Sequence, residues 1–311
     1  MARYIEVYML GTGGSVPTAE RMTSCILVKD WLGFHVLLDV GEGCQLRLQQ
    51  AGVSPASIDV VALTHSHGDH VNGLAGLVQT MTLQDRSKEL LIIGARDAVE
   101  FAEESLEVTR LRAGFSIRTL AVKNRGSVEL QVRGGDTLAL SWSPACHSIE
   151  SYAFRLEWSL RARVDVAKLE ALGLKPGSWL RELFEKKEVE VGGRMLRVED
   201  VALEPPRSFS VTYSGDTTLC DSVVELARGS HLLIHEATFS ARDSRDASEA
   251  YHSTSLDAAT AALEARVAEL ILTHVSGRYR GFEARVLERE ARQLFPRARL
   301  AWDLMRLRFI V

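Results

Sequence analysis

The heptapeptide Thr64-His-Ser-His-Gly-Asp-His70 constrains this chain more than any other stretch: residues 65–70 hold three imidazoles and one carboxylate. An apolar run, Ile58 to Leu63, leads straight into it and reads as a strand. A strand that stops here splays its next residues into a tight turn, with Gly68 relaxing the backbone. His65 and His67, two residues apart, can converge on one metal ion, while Asp69 and His70 point elsewhere and can hold a second beside it. Nitrogen-rich ligation with one carboxylate per ion suits zinc first, then manganese or iron.

The chain has 311 residues, 46% of them hydrophobic, enough to bury a large core in one big domain or two halves. It holds no run of 18 apolar residues, so no membrane span is expected. The stretch Met1 to Leu10 has no small-residue cleavage site, and no secretory signal is expected there. Cys25, Cys44, Cys146 and Cys220 are scattered, with no C-x-x-C pair. Together these features lead to the expectation of a cytoplasmic protein with reduced thiols. The formal charge is -4, so a polyanionic partner must be held by a local basic patch or by metal.

Tyr4 to Leu10 reads as a strand ending at Gly11-Thr-Gly-Gly14. Position 16 is Val rather than the third glycine of a dinucleotide fingerprint, and no Gly-Lys-Ser/Thr follows, so the loop is no nucleotide cradle. A turn that lets backbone approach a site closely remains open. Strands are expected again at Cys25–Val28 and Phe34–Asp39, before Gly41-Glu-Gly43, and a helix at Cys44–Gln50. Beyond the histidine cluster, helices (Leu74–Leu83, Ala98–Leu111) alternate with strands (Leu90–Ile93, Ile117–Val122), and two more strands follow near Val128–Val132 and Leu138–Trp142. From Phe209 the pattern is strand (Ser210–Tyr213), helix (Cys220–Ala227), strand (Leu232–Ile234), helix to Arg266, strand (Leu270–Leu272) and helix (Phe282–Leu294). Thr254 with Asp257 three residues on reads as a capping box opening the second of these helices. Two strands, Leu300–Asp303 and Leu307–Ile310, end the chain.

Residues 155–205 differ in character. From 155 to 187 they carry eight basic residues against five acidic, a local +3, with Lys175-Pro-Gly177 between two short helical segments and Pro205-Pro206 closing the stretch. This reads as an arm inserted into a single domain spanning 1–311.

Every polar cluster follows an apolar strand at its carboxyl end: the histidine turn, His147, Asp216, His235-Glu236 and His274. Sheets line such ends along one edge, where residues distant in sequence can meet. The expected architecture is therefore α/β, two packed sheets flanked by helices (an αββα sandwich) with the site along a shared edge. His65, His67, His147 and one carboxylate make one four-ligand set; Asp69, His70, His274 and the same carboxylate make another, with Asp216 as the shared bridge. Two cations ~4 Å apart can share a hydroxide and clamp the attacking and leaving oxygens of a phosphoryl displacement. Asp69 is placed to accept the water's proton.

The histidine cluster, together with Ser214-Gly-Asp216-Thr, His235-Glu-Ala-Thr238, His252-Ser-Thr254 and Leu272-Thr-His274, resembles ribonuclease Z, the endonuclease family that trims the 3′ trailer from precursor tRNA, within the metallo-β-lactamase superfamily. The likeness extends from Gly11-Thr-Gly-Gly-Ser-Val-Pro-Thr18 to Asp303, essentially the whole chain. It implies a metallo-β-lactamase-like fold and two Zn2+ per subunit, with Mn2+ or Fe2+ possible. Their ligands would be His65, His67, Asp69, His70, His147, Asp216 and His274, with Asp69 also the proton acceptor. Glu236 and His252 fall on a pair that delivers a proton to the departing 3′ oxygen. It further implies precursor tRNA as partner, a homodimer, and an arm that binds the tRNA elbow through basic residues. Ser178-Trp-Leu-Arg-Glu182 stands where the family has a glycine-rich continuation, and Thr218-Leu219 where it has a proline. The resemblance makes this a zinc-dependent endoribonuclease that leaves a 3′-hydroxyl on the tRNA. Two other readings remain open from the sequence. One is a small-molecule phosphodiester or thioester hydrolase of the same superfamily, which needs no basic arm. The other is a non-catalytic, metal-stabilised RNA-binding subunit.

Overall fold

Buried apolar strands set the architecture. A computed structural model describes residues 3–133, 135–204 and 207–311, so Pro205-Pro206 lies outside the described residues. Val60–Leu63 and Leu90–Gly94 are buried at every position. Such strands need cover on both faces, which a sheet flanked by helices and a second sheet supplies. The first sheet has seven strands in the spatial order Met305–Ile310, Tyr4–Gly11, Cys25–Asp30, His35–Leu38, Val60–Leu63, Leu90–Gly94, Ile117–Ala121. It is antiparallel up to His35–Leu38 and parallel beyond.

The second sheet also has seven strands, in the order Ala298–Leu300, Glu269–Thr273, Leu232–Glu236, Arg207–Tyr213, Tyr152–Leu160, Asp136–Pro144, Gly126–Arg133. Its first four run parallel, which aligns the carboxyl ends of Arg207–Tyr213, Leu232–Glu236 and Glu269–Thr273. Helices Ser255–Glu264 and Arg285–Leu294 bury Ala258, Ala262, Leu287 and Ala291 in one cluster with Leu233, Leu270 and Leu272 of this sheet. The small alanines bring helix and sheet close together. Thr254 opens its helix as the sequence suggests: its hydroxyl accepts from the Asp257 N–H, and the Asp257 carboxylate accepts from the Thr254 N–H.

Contacts divide the chain into two compact units. One comprises Met1–Ser127, Ser141–Leu156 and Ser210–Val311; the other comprises Val128–Leu140 and Glu157–Phe209. The second unit has an apolar cluster of its own, Leu169, Leu183, Val189, Leu196, Val198 and Val201. It contains helices Val166–Ala171 and Trp179–Lys186 and the hairpin Glu188–Val191/Arg194–Arg197. Gly192-Gly193, both at positive φ (60° and 76°), make the two-residue turn of that hairpin. Among the described residues no helix is long and apolar enough to cross a membrane.

The structure departs from the sequence reading in three places. Residues 155–160 belong to the strand Tyr152–Leu160, and the Arg155 guanidinium is engaged by Leu226 O, Arg228 O and Ser230 Oγ. The strand expected at Leu300–Asp303 is instead Ala298–Leu300. Asp303 lies beyond it and accepts from Thr12 N–H, Met22 N–H and Arg47, fastening the glycine loop. The thiols are not reduced: Cys25 pairs with Cys44 and Cys146 with Cys220. Partners 19 and 74 residues apart make no local motif, and only the fold brings their Cα atoms to 6.0 and 5.8 Å.

Candidate metal centre

The strand ends deliver their side chains to one place in the first unit. The chain leaves Val60–Leu63 at Thr64 and turns through His67 into the short helix Gly68–Val71, which carries Asp69 and His70. His147 follows Asp136–Pro144, Asp216 follows Arg207–Tyr213, and His274 follows Glu269–Thr273. One ligand atom from each of His65, His67, His147 and Asp216 fits within a 4.8 Å span, as does one from each of Asp69, His70, Asp216 and His274.

Within the first group His65 Nε2 and His147 Nε2 lie 3.1 and 3.3 Å from His67 Nδ1, and His65 Nε2 lies 3.6 Å from Asp216 Oδ2. In the second, His274 Nε2 is 3.3 Å from His70 Nε2 and 3.2 Å from Asp69 Oδ2. Asp216 Oδ2 is 3.3 Å from both His70 Nε2 and His274 Nε2, so this one oxygen belongs to both groups. Asp216 Oδ1 is buried without a hydrogen-bond partner. A carboxylate stripped of water with one oxygen unpaired is costly unless a cation completes it.

The other ring nitrogen of four histidines is fixed from behind. His65 Nδ1 meets Thr64 Oγ1 (2.9 Å), His70 Nδ1 meets Asp39 Oδ2 (2.7 Å), His147 Nδ1 donates to Tyr251 O (2.9 Å), and His274 Nδ1 meets Thr238 Oγ1 (2.8 Å). Each of these rings presents Nε2 to the centre, the support expected of metal-binding imidazoles. His67 presents Nδ1 instead. Asp39 is itself held by Thr64 and by the Tyr213 hydroxyl at 2.9 Å. Neither Asp39 nor Tyr213 stands out as a site residue in the sequence. The available signal was that Asp39, like the ligands, sits where an apolar strand ends.

Backbone geometry is adapted to the cluster. Asp39 and His274 both have positive φ, 58° and 57°, a conformation that costs energy outside glycine. At Gly14 a Cβ would fall 2.6 Å from the His274 ring, so this position of the glycine loop has no room for a side chain. That is the close approach left open by the sequence.

Electrostatics agree with a cation site. Burial holds His65, His67 and His147 below the ordinary histidine range, keeping them neutral and able to ligate. Burial also opposes charge on His70, but Asp216 and Asp39 outweigh it and hold the ring well above that range. Burial opposes ionisation of Asp69 and Asp216, yet the surrounding imidazoles keep both carboxyls well below the usual carboxylate range. These two buried or nearly buried carboxylates therefore call for positive charge at this point.

Beside the cluster, Glu236 Oε1 lies 2.7 Å from His252 Nδ1. Thr217 N–H donates to Oε1, and the Thr238 N–H and hydroxyl donate to Oε2, so the carboxylate is saturated and fixed. Burial works against charge on His252, but the Glu236 carboxylate overrides it and lifts the pKa to about 9. Burial likewise pushes Glu236 up, and the facing His252 charge more than offsets it, leaving the carboxyl below its ordinary value. His231 Nδ1 accepts the Ser210 N–H away from this cluster, and Arg278 pairs with Asp246 and lies over the Phe239 ring.

Two seven-stranded sheets with flanking helices and a histidine–carboxylate cluster along their edge define a protein of the metallo-β-lactamase fold. YhfI from Bacillus subtilis, a metallo-β-lactamase fold protein, superposes with a TM-score of 0.68 over 98% of this chain and 100% of its own, at 21% identity. Human tRNase Z, short form, gives a TM-score of 0.68 at 25% identity, covering 98% of this chain and 99% of its own. A family model described as anti-Pycsar protein Apyc1 matches residues 5–124. A ribonuclease Z from Aeropyrum pernix is 49% identical over 303 residues, 97% of this chain and 98% of that protein. The chain belongs to the ribonuclease Z family, nucleases that act on phosphodiester bonds.

Proposed function

We propose that this chain is a zinc-dependent endoribonuclease that removes the 3′ trailer from precursor tRNA and leaves a 3′-hydroxyl on the tRNA. The observation that carries the reading is the pairing of two four-residue ligand groups through the single oxygen Asp216 Oδ2, with a Glu236–His252 pair alongside. His65, His67, His147 and Asp216 would hold one cation, and Asp69, His70, His274 and Asp216 a second. Such a pair, when bound, supplies Lewis-acid stabilisation of phosphoryl charge and a more acidic water.

The protein's own groups do the rest. Asp69 stays ionised and accepts a proton at Oδ2, where the Ser15 N–H (2.7 Å) and His274 fix its direction. His252 holds a proton at neutral pH because Glu236 faces it, and gives that proton to the departing 3′ oxygen. Glu236 cannot turn away, since Thr217 and Thr238 occupy its lone pairs.

The segment 155–205 is the substrate arm in this reading. Lys175, Arg181, Lys187 and Arg194 are exposed there, and Trp179 Nε1 donates to Lys175 O (3.2 Å), ordering the Lys175-Pro-Gly177 bend. A cytoplasmic homodimer completes the proposal, in keeping with the family resemblance.

A cleavage gel on precursor tRNA with and without chelator tests the reading. The expected result is a cut just after the discriminator base, a 3′-hydroxyl product, loss with chelator and recovery with zinc. Intact precursor beside rapid hydrolysis of a thioester would point to a small-molecule hydrolase instead. Retention of cleavage by D69A would remove the proton-acceptor role.

A further inference from the structure

The Cys146–Cys220 disulfide joins the segment of one proposed ligand, His147, to the loop that follows another, Asp216. Cys146 immediately precedes His147. Its N–H donates to Thr217 Oγ1 (3.0 Å) and its carbonyl accepts from Thr218 N–H (2.9 Å). These few bonds and the sulfur bridge tie residues 144–147 to the 217–222 loop.

The two ends of the bridge are unlike. Cys220 is 4% exposed and packs with Ala153 and Val223, whereas Cys146 is exposed. The other disulfide is sealed, with Cys25 and Cys44 each at 1% exposure. A dissolved thiol can therefore reach the first bridge and not the second. Once it is cut, Cys220 keeps its apolar neighbours and the freedom falls on the His147 side. Asp69, His70 and His274 sit on segments the bridge does not touch.

We propose that the Cys146–Cys220 disulfide is a reducible brace that positions His147, so that its reduction selectively weakens metal binding by the three-histidine group. This rests on the two-cation reading above. The step balances: a dithiol's thiolate attacks the Cys146 sulfur and Cys220 leaves as thiolate. The reagent's second thiol then displaces Cys146 and closes the reagent to its own disulfide. Two electrons and two protons pass to the protein.

Zinc titration of the metal-free protein, read by competition with a chromogenic chelator, tests the proposal on three samples. These are oxidised wild type, wild type reduced with a dithiol that is then removed by anaerobic gel filtration, and C146S/C220S. A fourth sample, C25S/C44S, controls for general loosening. Oxidised wild type is expected to take two equivalents. The reduced protein and C146S/C220S should keep one tight equivalent and bind the second about tenfold or more weakly, with pre-tRNA cleavage falling in step. Reoxidation should restore the second equivalent in wild type. The reduced wild type decides the matter should the double variant fold poorly. Unchanged binding of both equivalents, loss of both together, or the same selective loss in C25S/C44S overturns the brace. If even the oxidised protein fails to take two equivalents, the metal reading itself falls and the brace with it.

Discussion

Asp39 is fully buried and receives the Thr64 N–H, the Thr64 hydroxyl, His70 Nδ1 and the Tyr213 hydroxyl. Replacing it by Asn removes the negative partner of His70 and should lower metal affinity about 10- to 100-fold, measurable by zinc titration. His252→Ala should cut the rate on tRNA by about 10²–10⁴, the usual contribution of a positioned acid. On a substrate whose leaving group needs no proton, the same variant should approach wild-type rate. The pH profile has a definite sign. The folded pKa of His252, about 9, is above the model-compound value of 6.5. Its acid form is thus fully present at neutral pH, and the rate should fall as pH rises through about 9. The stabilisation from the Glu236 pair follows the same course: complete below 6.5 and gone once pH has climbed through about 9. At this scale the proposed ligand residues were readable because each follows an apolar strand. Asp39 was not, since a strand-end aspartate looks like any turn residue until the fold shows four donors around it.

Elements place these side chains with little tolerance. Val275–Ser276 runs parallel to Gly13–Gly14, which brings the glycine loop against His274. Gly14→Ala would thrust a methyl into that ring, and the expected outcome is weaker binding at the Asp69–His70–His274 group with the fold intact by circular dichroism. The parallel strands were legible as unbroken apolar runs bounded by polar clusters, and helix Ser255–Glu264 announced itself through Thr254 and Asp257. The strand Tyr152–Leu160 was harder to see. Arg155 and Glu157 give it the look of a charged arm, and only the structure shows Arg155 turned toward Leu226, Arg228 and Ser230. The cysteine pairs escaped for a related reason: their partners meet through tertiary folding rather than local spacing.

For the molecule as a whole, a formal charge of -4 means that an RNA partner must be attracted locally. Charge reversal at three exposed positions, K175E/R181E/K187E, should raise KM for precursor tRNA at least tenfold. It should leave hydrolysis of a small phosphodiester unchanged and make binding less sensitive to salt, because fewer counterions are released. An unaltered KM would place the RNA elsewhere. The unit that carries these residues buries Leu169, Leu183, Val189 and Leu196 in one apolar cluster. Under the proposed reading, exchanging surface residues such as Lys175 and Arg181 would alter which RNA is held while the histidine–carboxylate cluster keeps its geometry.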